Sequence, residues 1–68
     1  MVATSKLRGL IVANDMTQES VAKELGITSK TFYMKMKKGV FGSDEIEKMI
    51  NLLHIEDPIS IFFAKDVT

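Results

Sequence analysis

The stretch Met16 to Lys38, MTQESVAKELGITSKTFYMKMKK, decides the fold, because it reads as two capped helices around a single glycine. Thr17 is a residue type whose hydroxyl accepts a backbone N–H of the first helical turn, and Glu19 and Ser20 occupy that turn. Val21, Ala22 and Leu25 follow at helical spacing until Gly26 stops the helix. Thr28 is a second such cap, for a helix over about 29–37 in which Phe32 and Met36, four residues apart, face inward; Gly39 marks its end. Ala22 lets the two helices cross closely, Gly26 can take the positive φ of a tight reversal, and Ile27 plugs the corner. That order of parts, over about 17–38, is the anatomy of a helix-turn-helix, which presents its second helix to a DNA major groove. With Phe32 and Met36 inward, the step of about 100° per residue puts Ser29, Lys30, Tyr33, Met34 and Lys37 on the opposite flank.

Working outward, apolar residues recur at spacings of three and four almost throughout, one proline is present, and no Asn-Gly hairpin signal occurs, so the chain reads as five helices without a sheet. The first is expected after Thr4 or Ser5 as cap, with Leu7, Leu10, Ile11 and Ala3 on one stripe, ending near Asn14, a residue that tolerates the left-handed conformation. Downstream of the quoted stretch, Lys38 to Gly42 (KGVFG) reads as a loop whose apolar tip, Val40 and Phe41, tucks onto the core. Ser43 is expected to cap a fourth helix. Asp44, Glu45 and Glu47 complement the positive end of that helix, and Ile46, Met49, Ile50 and Leu53 form its buried stripe. Asp57 and Pro58 open a short fifth helix over about 58–64, followed by a loose tail, Lys65 to Thr68. Phe62 and Phe63 are adjacent and cannot point the same way. One reading closes the core with Phe62 and Ile59 and leaves Ile61 and Phe63 outside as a patch for a second subunit; the other folds both phenylalanines onto the core.

The chain has 68 residues, 46% hydrophobic and 26% charged, which fits one globular domain over 1–68 and excludes a disordered or collagenous composition. Cysteine is absent and His54 is the lone histidine, so disulfides and thiolate zinc sites are excluded; with no nucleophile–base constellation either, neither an enzyme nor a cofactor is expected. Asp44, Glu45 and Glu47 are explained by the helix dipole rather than as paired catalytic carboxylates. No apolar run approaches the roughly 20 residues of a membrane span. Lys6 comes too early for a signal-peptide core, which places the expected location in the cytoplasm.

The formal net charge is zero, yet the charges are not evenly spread. Seven bases (Lys6, Arg8, Lys23, Lys30, Lys35, Lys37, Lys38) and three acids (Asp15, Glu19, Glu24) lie before position 41, whereas two bases and six acids lie after it. One basic face in an otherwise acidic molecule is the pattern of a small region that approaches a polyanion. A solvated surface is the other meaning of the Lys30 to Lys38 cluster; the caps and glycine turn around it favour DNA.

The run Thr17-Gln18-Glu19-Ser20-Val21-Ala22 followed by Leu25-Gly26-Ile27-Thr28 resembles the Cro and cI type of phage and bacterial repressors, the lambda-repressor-like or XRE group. The resemblance covers roughly residues 4 to 64 and includes the closing segment Leu52 to Phe63. It implies an all-α, compact five-helix domain that binds double-stranded operator DNA in the cytoplasm of a bacterial host, often as a weak or DNA-assisted homodimer, and regulates transcription at a phage promoter. It places Gln18 against a phosphate, and Ser29 and Lys30 at the first exposed turn of a recognition helix, with Tyr33 one turn later. It also sets Lys35 where the family has a core residue, with Met36 beside it, and the interval from Gly26 to Gly39 is one residue longer than in the best-known repressors. Lys30 suits guanine O6 or N7, Tyr33 a thymine methyl or a phosphate, and Met34 shares their flank; Lys35, Lys37 and Lys38, with Thr28 at the cap, suit the DNA backbone. Gln18 also reads as a plain surface residue and Tyr33 as filler against the second helix. The rival to the whole reading is a helical protein-interaction module, an anti-repressor or small regulatory partner that does not touch DNA.

Overall fold

Four helices of eight to ten residues and a fifth of five follow one another in the computed structural model, which describes residues 2–63. They are α1 Thr4–Ala13, α2 Gln18–Leu25, α3 Ser29–Lys38, α4 Ser43–Leu52 and α5 Pro58–Phe62, with no strand among the described residues. The expected continuation of α5 to position 64 and the tail at 65–68 lie outside the described residues. No helix in that range is long and apolar enough to cross a membrane, and no group of His, Cys, Asp and Glu there is placed to hold a metal ion.

One core joins all five helices. Leu7 and Ile11 of α1, Val21, Ala22 and Leu25 of α2, Phe32 and Met36 of α3, Met49 of α4 and Phe62 of α5 are buried together with Leu53 and Ile55. Among the described residues no buried one is polar or charged. The loop after α3 contributes one residue to this core: Phe41 is buried against Phe32, ring centroids 5.5 Å apart and planes inclined at 53°, an arrangement aromatic pairs favour. Its neighbour Val40 stays exposed, so only half of the expected tip tucks inward.

The helix ends correct the sequence reading in several places. Ala3, not Thr4 or Ser5, precedes α1 and has no side-chain cap. Instead the chain start is fixed by backbone bonds, Val2 N–H to Gly39 O at 3.2 Å and Ala3 N–H to Ile61 O at 2.6 Å, which a local reading of capping residues does not see. At the other end of α1 the left-handed residue is Asp15, φ 57°, rather than Asn14. Asn14 uses its amide, donating to Leu10 O at 2.8 Å and across to Leu53 O at 3.1 Å, and so ties α1 to the end of α4. Gly42 takes the cap position assigned to Ser43, and the carboxylate of Glu45 accepts the Gly42 N–H at 2.8 Å.

The fifth helix corrects the sequence reading most. Phe62 is buried and Phe63 exposed, but Ile61 is only 7% exposed while Ile59 is 70% exposed, the reverse of the expected pairing. A five-residue helix has too few turns for periodicity to fix its inner face. Here the hydrogen bond from Ala3 to Ile61 O draws the chain start over Ile61, and Ile59 is left outside with Phe63 one turn on.

Candidate nucleic-acid interface

Three features of α2 and α3 follow directly from their residues. Thr17 accepts the Ser20 N–H at 3.0 Å while Ser20 Oγ accepts the Thr17 N–H at 2.9 Å, a reciprocal capping box. Gly26 ends α2 at φ 76° and ψ 25°, and the Ile27 N–H returns to Ala22 O at 3.0 Å, closing the reversal over a residue that is 1% exposed. No atom outside the adjacent residues comes within 4 Å of where a Cβ on Gly26 would stand, so glycine is needed there for its backbone angle rather than for room. Thr28 then accepts the Thr31 N–H at 3.1 Å and donates its hydroxyl to Thr31 Oγ1 at 2.9 Å, and Gly39 closes α3 at φ 71°.

Phe32 and Met36 are buried, which fixes the rotation of α3. Tyr33 and Met34 are half exposed, Lys30, Lys37 and Lys38 are exposed, and Ser29 is half-buried. They form two rows at helical spacing, Ser29, Tyr33 and Lys37 in one and Lys30, Met34 and Lys38 in the other. The extra residue between Gly26 and Gly39 leaves Met36, not Lys35, as the second core residue of α3.

Lys35 departs from the group in which the sequence placed it. Its ammonium lies 2.8 Å from Glu45 Oε1, so its charge is engaged inside the chain and it joins α3 to the start of α4. Burial pushes the Glu45 carboxyl upward. The hydrogen bonds from Lys35 and from the Gly42 N–H, with the charges of Lys35 and Lys48, outweigh that and hold it below its ordinary 4.5. Thr28, expected at a phosphate, has its hydroxyl committed to the cap. Ile61, expected in a subunit interface, is buried inside the chain, and Phe63 remains on the surface.

Gln18, Tyr33 and Lys37 are brought together, in a cleft of about 430 Å³ whose remaining lining residues are Thr4, Arg8 and Met36. Thr4 and Arg8 were missed from sequence. The signal was the i, i+4 spacing of Thr4 and Arg8 along the edge of the α1 face that buries Leu7 and Ile11, together with the excess of bases in the first forty residues.

Compared with family models, with curated proteins and with solved structures, the chain matches none. The geometry of its own residues is therefore the ground for any functional reading.

Proposed function

We propose that the chain is a sequence-specific DNA-binding regulator of transcription, a Cro-like phage repressor whose α2 and α3 form a lambda-repressor-like helix-turn-helix. The observation that carries this reading is the division of α3: Phe32 and Met36 hold one flank in the core while Lys30, Tyr33, Met34, Lys37 and Lys38 stand outside on the other. The ten residues of α3 are about 15 Å long, and a helix of ordinary diameter fits the B-DNA major groove. In this reading Ser29, Lys30, Tyr33 and Met34 meet base edges, and Gln18, Lys37 and Lys38 meet phosphates. Lys35 is left out, because moving it to DNA would strand Glu45. A second copy of the chain is the further partner we propose, since two half-sites one turn apart suit a dimer.

Titration with duplex DNA at two salt concentrations tests the reading. Two phosphate-bound lysines alone give a log–log slope of about −1.8, so affinity should fall roughly tenfold between 50 and 200 mM salt. The rival reading, a protein-interaction module, draws on the exposed Val40, Ile59 and Phe63. Absence of duplex binding at 50 mM salt would favour it.

A further inference from the structure

The cleft that gathers Gln18, Tyr33 and Lys37 also receives Arg8 from α1, so its cations come from two helices with the first residue of α2 between them. No acid lines it. Two like charges lining one cleft repel in the free chain, and the arrangement does nothing for the core. Among the described residues the one ion pair is that of Lys35 with Glu45, which leaves Arg8 and Lys37 without an acidic partner there. Around them stand neutral groups able to donate hydrogen bonds, the Gln18 amide, the Thr4 hydroxyl and the Tyr33 hydroxyl. An arginine and a lysine lining one cleft supply a guanidinium fork and an ammonium, the groups that suit an oxyanion with several acceptor oxygens.

We infer that this cleft seats a single phosphate of the DNA backbone, gripped jointly by Arg8 and Lys37, with Thr4 and Gln18 as neutral donors. The site makes α1 a third element of the interface and fixes α3 against the DNA from the side of its Ser29, Tyr33 and Lys37 row. It deepens the DNA-binding reading and rests on it.

The salt dependence of duplex binding separates the two. One shared phosphate accounts for a slope change of about 0.9, which is roughly an eightfold loss of affinity at 0.1 M salt relative to 1 M. The double variant Arg8→Ala/Lys37→Ala should therefore flatten the slope by about one unit, and each single variant by less than that. Arg8→Lys should keep the slope, and Arg8→Gln/Lys37→Gln, which keeps side-chain length at exposed positions, should repeat the double-alanine result. An unchanged slope in both double variants would show that the cleft holds no phosphate. A loss of nearly two units would show two separate contacts and would overturn the shared seat. Wild-type protein without affinity for duplex DNA would instead remove the DNA-binding reading itself.

Discussion

Lys30 and Lys38 stand eight residues apart on the same row of α3, yet the proposed function gives them different work. Lys30 lies in the first turn, beside Ser29, and Lys38 is the last residue of the helix; in the proposed docking the first turn points at base edges and the last meets the DNA backbone. Lys30→Ala should relax base preference, read from binding to a randomised duplex pool, whereas Lys38→Ala should weaken all sequences alike and flatten the salt slope by about one unit. Lys35→Ala should instead act on stability, because its partner Glu45 is only 14% exposed and would lose its counter-charge. Acid tests the same pair. A carboxyl held below its ordinary pKa stabilises the fold fully above that ordinary value, and the contribution is lost as pH falls through the lowered one. Unfolding measured from pH 6 down to below pH 4 should show that loss in the wild type and a shallower dependence in Glu45→Gln. The exposure of Lys30 and Tyr33 was legible in the sequence from the inward pair Phe32 and Met36. The engagement of Lys35 was not, since Glu45 lies ten residues away on another helix and no local pattern links them.

Among the elements, α2 and α3 owe their limits to local chemistry, and substitutions there should have local costs. Thr17→Ala removes half of a capping box and should destabilise by about 1 kcal/mol in urea unfolding. Gly26→Ala forces a left-handed angle on a residue with a Cβ and should cost about 1–2 kcal/mol, with Gly26→Asn milder because asparagine tolerates that region. These ends were readable because each depends on one residue type at one position. The start of α1 and the inner face of α5 were not, because Ala3 and Ile61 are fixed to each other across the whole length of the chain. Periodicity is informative over α4, where ten residues carry Met49 inward with Leu53 just beyond, and it fails over the five residues of α5.

At the scale of the molecule, a small apolar core without disulfides gives a narrow margin of stability, so burial at its centre dominates. Phe32→Ala should cost about 3–5 kcal/mol, enough to unfold much of a domain this size at 37 °C. Ile59 and Phe63 are exposed one turn apart; if the proposed dimer forms through them, Ile59→Ser/Phe63→Ser should leave the melting temperature nearly unchanged and lower the dimer fraction in sedimentation equilibrium. A wild type that stays monomeric at high concentration, with one chain per DNA site, would remove the dimer. The all-helical architecture and most of the core were legible in the sequence, as was the outward flank of α3. The cleft was not, because Thr4, Arg8, Gln18 and Lys37 come together only once three helices have packed. Amide chemical-shift mapping on the isotope-labelled chain, with duplex DNA added stepwise, addresses the outward flank of α3 most directly. The largest shifts should fall at 28–38, with smaller ones near Arg8 and Gln18. Saturating DNA that leaves those amides unmoved, or that moves chiefly Ile59 and Phe63, would contradict the account.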